Sequence, residues 1–449
     1  MQYMKFAASR WVSVILPTLL HILMTGARAD TATCEAVEIF PVVQQHVHGS
    51  TIVELPNGDL LAAWFQGSGE RWADDVAIMG ARRKAGAAGW SKPFLMADVP
   101  GFPDINPILF LDSRDRLWLM WYTVIANQWE TSLLKYRLSE DYTSQAEAPR
   151  WTWQEVLHVK PGDPTERGIQ PGDRFVKSVE RQIEEYATYL QELHSSQPLQ
   201  AAATVGLWRV YSSKLLSKAR GEDMVRKGIL QTSSGESTPT DLGYPYFRRM
   251  GWQTKNKAVL IDGKRLIVPL YSDGFSFSLM AITDDNGATW HFSEPLVGAG
   301  NIQPSIARKA DGALVAYMRD NGPPPQRLHV STSADKGLTW STVHDSELPN
   351  PGSGADIVTL RNGHWILVYN DTEDGRHSLA VSLSTDEGRT WSHTRRLEHS
   401  EAGDAAPTAA YPSIVQGADG SLHVVYSYRS EAGKTIKHVR FTESWVMGM

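Results

Sequence analysis

The stretch TDDNGATW (Thr283–Trp290) returns as SADKGLTW (Ser333–Trp340) and again as STDEGRTW (Ser384–Trp391). The aspartates Asp285, Asp335 and Asp386 stand 50 and 51 residues apart. One match would carry little, but three at near-constant spacing mark an internal repeat. An aspartate followed two residues later by glycine suits a tight turn whose backbone N–H groups the carboxylate accepts. The tryptophan that follows can pack between neighbouring sheets. These aspartates read as fold residues, not catalysts.

A second repeat surrounds the first. Its copies are GSTIVELPNGDLLAAWF from Gly49, NPILFLDSRDRLWLMWY from Asn106 and NKAVLIDGKRLIVPLY from Asn256. They continue as QPSIARKADGALVAYMR from Gln303, GADIVTLRNGHWILVYN from Gly354 and YPSIVQGADGSLHVVYS from Tyr411. Each reads as a β-hairpin with period-two alternation around a turn. Six copies predict an all-β, six-bladed β-propeller. The hairpins supply the two inner strands of each blade, and the aspartate turn joins the outer two.

The second and third copies are about three times farther apart than their neighbours. Within that gap Val176, Val179, Ile183, Tyr186, Leu190 and Leu193 recur at three- and four-residue steps, the mark of an amphipathic helix. Leu207, Val210, Tyr211, Leu215 and Leu216 suggest a second helix before Gly228. Residues 165–240 are therefore expected to insert a helical hairpin in or after blade two. It could pack on the side of the propeller, cover the pocket as a lid, or form a dimer contact.

The chain has 449 residues, a formal net charge of -6 and a hydrophobic fraction of 42%, which suits one large all-β domain. No basic run stands out to neutralise phosphates, which argues against a nucleic-acid partner. Sixteen Trp and fifteen Tyr suit half-buried strand faces and also stacking on sugar rings. Residues 1–29 read as a signal peptide. Lys5 and Arg10 precede the apolar run Trp11–Met24, and Ala27-Arg28-Ala29 offers a small-x-small cleavage site. The run is short for a membrane span. The propeller is then expected over 30–449, in a mature protein that is secreted or periplasmic. Cys34 is the only cysteine, so no internal disulfide is available.

The aspartate turns and the six hairpins together resemble the sialidase (neuraminidase) superfamily, in its BNR or Asp-box repeat group. That resemblance implies three arginines gripping a sugar carboxylate, a tyrosine nucleophile activated by a glutamate, and an aspartate acid/base. Bidentate pairing explains the arginines, and a tyrosine nucleophile needs a nearby base. Carried over by position, Arg319 in AYMRDNG and Arg376 in YNDTEDGRHSLAVS match two of the arginines. Tyr411 in AAYPSIVQ matches the nucleophile, and Asp75 or Asp74 in GSGERWADDVAI the acid/base. Two positions depart from the pattern. His46-Val47-His48 replaces the first arginine, and Gln303 stands where the activating glutamate would be.

Histidine titrates near neutral pH and can serve as a general base or acid. His48 opposite Tyr411 would suit proton abstraction beside a uronate carboxylate held by Arg319 or Arg376. Asn106, Asn256, Gln303 and Tyr411 begin inner strands and are expected to turn polar groups toward the axis. Glu70 and Arg71 share the first loop with Asp75, and Arg249 precedes blade three; all three are candidate rim residues. No metal or cofactor is expected, since His46-x-His48 lacks a further ligand and no phosphate loop occurs. The expected partner is an oligosaccharide or glycoconjugate. The leading expectation is an exported, exo-acting glycoside hydrolase of the exo-sialidase type, cleaving a terminal acidic sugar. The alternatives are a lyase on a uronate-containing glycan, using His48 and Tyr411, and a non-catalytic carbohydrate-binding propeller.

Overall fold

The computed structural model describes residues 32–143, 148–166, 169–170, 172–221 and 248–448. The expected signal peptide and the expected start at Asp30 lie outside these residues, as does the insertion between 222 and 247.

Six four-stranded antiparallel sheets form the blades of a propeller. Blade one is β2 (His46–Glu54), β3 (Leu60–Gly67), β4 (Ala77–Arg83) and β5 (Phe94–Ala97). Blade two is β6 (Asp104–Leu111), β7 (Leu117–Val124), β8 (Ser132–Ser139) and β9 (Trp153–Val156). Blade three is β10 (Val259–Ile261), β11 (Arg265–Ser272), β12 (Phe277–Thr283) and β13 (His291–Phe292). Blade four is β14 (Asn301–Arg308), β15 (Leu314–Asp320), β16 (Arg327–Ser333) and β17 (His344–Pro349). Blade five is β18 (Asp356–Thr359), β19 (Trp365–Tyr369), β20 (Ser378–Ser384) and β21 (His393–His399). Blade six takes β22 (Thr408–Gln416), β23 (Leu422–Ser430) and β24 (Gly433–Phe441) from the end of the chain. Its outer strand is β1 (Cys34–Glu38), from the beginning. Cys34 pairs with Phe441 and Glu38 with Lys437, which closes the ring.

Middle strands lie between two neighbouring blades, so both faces are covered. β7 and β20 are buried at every residue. This is why β7 reads as a nearly continuous apolar run, while β20 buries three serines among its apolar residues.

The three aspartate turns join the third and fourth strands of blades three, four and five, as the repeat predicts. Asp285 Oδ1 accepts the Thr289 N–H at 2.9 Å and Oδ2 its hydroxyl at 2.6 Å. Asp386 does the same with Thr390, at 2.9 and 2.7 Å. These bonds hold both carboxyls down at about 2. Gly287 has a φ of +88°, and a Cβ there would strike the Trp118 ring of the preceding blade. Trp290 meets the same ring edge to face at 6.1 Å. The turn therefore fastens one blade to the one before it.

The insertion follows blade two and contains α1 (Arg174–Leu193) and α2 (Pro198–Arg220). Asp173 caps α1 by accepting the Val176 N–H at 3.1 Å, and Arg248 pairs with the same carboxylate. Phe175 packs on Phe275 and Phe277, while Gln182 bonds Pro295 and Val297, so α1 lies along blade three. The α2 face differs from the one read in the sequence. Leu215 is buried as expected and Tyr211 and Leu216 pack half-buried, but Leu207 and Val210 are exposed, and Trp208 and Ala219 take their place in the buried face. Trp208 selects that face by packing its ring, tilted, against Tyr186 at 4.5 Å and donating to the Ile183 carbonyl at 2.9 Å. Leu193, at the end of α1, is likewise exposed.

Candidate functional site

The inner strands of blades one, two, four and six each carry a bulge near their first residues. At the bulge sit Gly49, Asn106, Gln303 and Tyr411, all with positive φ between 46 and 65°. Non-glycine residues seldom adopt this conformation. Here the bulge turns each side chain off the sheet and onto the axis. In blade one only glycine fits, because a Cβ on Gly49 would collide with the Asn106 side chain.

All six blades contribute to a cavity of about 480 Å³ on the axis. Of the residues expected from the sequence, His48, Asn106, Gln303, Arg319, Arg376 and Tyr411 line it together. The Tyr411 phenol oxygen is the centre of this group. It accepts from Arg319 Nη1 at 2.9 Å and from Gln303 Nε2 at 3.1 Å. The His48 ring lies 4.2 Å from the tyrosine ring, and the Arg376 guanidinium lies 5.4 Å above its face. Arg376 is anchored through Nη2 to the Gly352 carbonyl at 2.9 Å.

Five expected residues stand elsewhere. Asp75 is exposed and turns back on its own loop, accepting the Ser68 N–H at 3.0 Å and hydroxyl at 2.7 Å. It braces the loop, and Asp74 beside it faces solvent. Arg249 is also exposed; its neighbour Arg248 is the buried one, taken up by Asp173 and the Ala219 carbonyl. Asn256 is buried below the cavity and donates to the Gln303 and Pro304 carbonyls, both at 3.1 Å. Arg71 sits at the rim between Trp72 at 4.4 Å and Trp129 at 4.9 Å, and Trp129 itself lines the cavity.

The remaining lining includes Glu70, expected at the rim from its loop, and Tyr122, Tyr271 and Asp273, to which the sequence assigned no role. Asn106 Nδ2 donates to Tyr122 at 3.0 Å and to Tyr271 at 3.4 Å, and Gln303 Nε2 reaches Tyr271 at 3.3 Å. A signal for the two tyrosines existed. Phe65, Tyr122, Tyr271 and Arg319 are the last residues of their repeat copies, as Asn106, Gln303 and Tyr411 are first residues. Register explains the pattern, since each last residue in blades one, two and four pairs with the residue just before the first: His48 with Phe65, Ile105 with Tyr122, Ile302 with Arg319. Asp273 had no such signal. Its SDG context reads as an ordinary turn.

The electrostatics separate the titratable groups. Burial pushes the His48 imidazole well below its usual range, and the charges of Arg376, His46, Lys255 and Arg319 add to that. His48 is therefore neutral. Burial raises Asp273 to about 6 against the pull of Arg319. Burial works to raise Glu70 as well, but His46, Arg71 and Arg376 outweigh it and hold the carboxyl below its ordinary value. Tyr122 and Tyr271 are pushed up by burial and stay protonated. Asn106 Oδ1, Gln303 Oε1 and Arg319 Nε are buried with no hydrogen-bond partner among the described residues. Each unmet polar atom costs about 1–3 kcal/mol, which a ligand's polar groups would recover.

Two supports lie behind the lining. His329 is buried between Asp320 at 3.3 Å and Asp345 at 3.0 Å. Asp320 in turn bonds the Gly322 N–H at 2.7 Å, fixing the backbone beside Arg319. The Asp273 loop is braced from the insertion, where Lys218 Nζ donates to the Gly274 carbonyl at 2.9 Å. No described residue of α1 or α2 lines the cavity. The hairpin flanks the ring and props a site loop.

A six-bladed ring fastened by aspartate turns, with a polar cavity on its axis, is the architecture of the sialidase and BNR-repeat superfamily. The chain belongs to the BNR repeat-like domain family, matched over residues 58–166 and 203–424. The anhydrosialidase of the leech Macrobdella decora is 30% identical over 122 residues, 26% of this chain. That match spans 15% of the leech protein. Among solved structures, a protein of unknown function from Dyadobacter fermentans superposes with a TM-score of 0.61 at 13% identity, over 91% of this chain and 98% of its own. The leech intramolecular trans-sialidase complexed with 2,7-anhydro-Neu5Ac gives 0.59 at 14% identity, over 92% and 71%. At such identities the structural likeness speaks for the fold.

Proposed function

We propose that the protein is an exported glycan-cleaving enzyme that takes a terminal acidic sugar into the axial cavity and breaks its glycosidic link by hydrolysis. The observation that carries this reading is the convergence of Arg319, Arg376 and Tyr411, from three different blades, in one cavity of sugar size. Two guanidiniums suit a carboxylate. Among the described residues no helix is long and apolar enough to cross a membrane.

Asp273, half-protonated near pH 6, is assigned as the acid that donates to the leaving oxygen. The Tyr411 oxygen attacks the anomeric carbon as that bond breaks, and neutral His48 takes the phenol proton. In the second half Asp273 takes a proton from water, whose oxygen displaces Tyr411. The tyrosine recovers its proton from His48. Asp273 replaces Asp75 in the acid role because Asp75 is spent on Ser68.

One observation favours a second reading. Gln303 donates into the Tyr411 oxygen where a base would accept from it. With a uronate bound, His48 would instead take the proton next to the carboxylate on Arg319 and Arg376. Tyr411 would give its own proton to the departing oxygen, leaving an unsaturated sugar.

The test is a product assay on residues 30–449 with sialosides and with uronate-containing oligosaccharides, read by mass spectrometry and ultraviolet absorbance. An intact released sugar, lost in Tyr411→Phe and Asp273→Asn, supports hydrolysis. An unsaturated uronate, lost in His48→Ala, supports elimination. Binding of these sugars without any product sinks both and leaves a carbohydrate-binding propeller.

A further inference from the structure

Beside the axial cavity, and sharing His48, Glu70 and Arg376 with it, is a lobe of about 170 Å³ between blades one and six. Its outer wall is Thr408, Tyr428, Arg429 and Lys434, with His46 at the junction. Lys434 Nζ lies 3.1 Å from His46 Nδ1, and His46 Nε2 lies 3.1 Å from Glu70 Oε1. The His46 ring thereby stands between Lys434 and Glu70, with Glu70 on the cavity side. Neither Lys434 nor Arg429 has a carboxylate within ion-pair distance among the described residues.

The lobe is built in place. Val43 and Lys434 exchange both backbone hydrogen bonds at 2.9 Å, and Gln44 Nε2 holds the Ala432 carbonyl at 3.0 Å. This pins the tip of the β23–β24 hairpin against the strand that enters blade one. Lys434 is consequently fixed over the lobe, where burial and the neighbouring Arg429 both press against its charge. Across cavity and lobe, the cations Arg319, Arg376, Arg429 and Lys434 face only two carboxylates, Glu70 and Asp273. One carboxylate on Arg319 and Arg376 leaves the lobe's positive charge unmatched. A second anion would answer it.

We infer that the lobe is a second anion subsite. The glycan that places a terminal acidic sugar in the axial cavity carries another negative group, a carboxylate or a sulfate ester, on that sugar or the one beside it. Arg429 and Lys434 grip that group. The inference rests on the reading of the axial cavity given above and adds the charge pattern of the substrate.

The experiment measures binding by titration calorimetry, using the Tyr411→Phe protein so that the probes survive. The probes are a uronate monosaccharide, the corresponding di-uronide, a sulfated uronide, and sialosides with one and two sialic acids. Each charge-assisted contact is worth about tenfold in affinity. The doubly charged member of at least one series should therefore bind about tenfold or more tightly than its singly charged partner. Arg429→Gln should remove most of that gain and Arg429→Gln/Lys434→Gln all of it, with the singly charged affinity unmoved; Gln keeps a donor toward His46. A gain confined to the sulfated probe would identify a sulfate ester, and one confined to the di-acids a carboxylate. If singly charged sugars bind in an Arg319-dependent manner but the second charge adds nothing, or adds a gain that both variants retain, the subsite is refuted and the axial reading stands. If no singly or doubly charged probe binds, the axial reading fails and the subsite with it.

Discussion

Gln303 and Asp273 decide which chemistry the axial cavity can run. Gln303 donates to Tyr411, so among the described residues no carboxylate bonds the phenol, and the proposed hydrolysis gives the base role to His48, whose ring lies 4.2 Å from the tyrosine ring. Gln303→Glu should raise hydrolysis by about tenfold, since a positioned base contributes at least that much. If elimination is the reaction, the same change should depress it, because the new carboxylate would draw the proton that Tyr411 must donate. Turnover of each product class before and after the substitution distinguishes the two. Asp273 sets a pH limit of its own. Its carboxyl is raised to about 6, so it is an acid below that value and a carboxylate above it. Under hydrolysis kcat should fall as pH rises through about 6, and Asp273→Asn should lose both the activity and that limb. His48, held well below its usual range, adds no limb near neutrality. What could be read here from sequence was the set of polar residues heading and ending each repeat. Asp273 could not, because nothing in Ser272-Asp273-Gly274 distinguishes a catalytic carboxyl from a turn residue. Asp75 misled for the converse reason, since the backbone of its own loop claims the side chain.

At the scale of the element, the inner-strand bulge is the device that makes the site. Regular alternation would leave Asn106, Gln303 and Tyr411 on a sheet face; one extra residue turns them onto the axis. Period-two patterning finds the strands but carries no record of a bulge, so the hairpins were legible while the left-handed residues were not. The helices show a similar division. α1 announces its buried face by spacing alone, whereas the α2 face is chosen by Trp208 reaching Ile183. β16 carries a buried ion-paired histidine, His329. Burial alone would lower this imidazole, but Asp320 and Asp345 raise it to about 9. A folded-state pKa above the unfolded value of 6.5 means stability fully present below pH 6.5 and lost as pH rises through about 9. The loss should be on the order of 3 kcal/mol. Thermal melts from pH 6 to 10 should show it, and His329→Gln should start lower and flatten the curve. A wild-type melt indifferent to pH over that range would refute a charged His329.

For the molecule as a whole, stability depends on closure. The sixth hairpin, from Tyr411 to Ser427, predicts a sixth blade, but its outer strand comes from the other end of the chain. No repeat spacing reports that pairing, because Cys34–Glu38 has no Asp-turn partner in sequence. Deleting residues through Phe40 should remove five strand pairs with β24, together with the stack of Phe40 on Trp64 at 4.8 Å. An edge strand would then be left open to aggregation. The truncated protein should melt several degrees lower and self-associate, as light scattering would report. Deletion through Thr33 only should do neither.

The same seam has a mechanical meaning. β1 and β24 run antiparallel, with Cys34 opposite Phe441, so both strands leave the sheet at the same end. Tension between them would not load the rungs together. It would peel them in turn, as a zip fastener opens, and blade six would part before any force reached the other five.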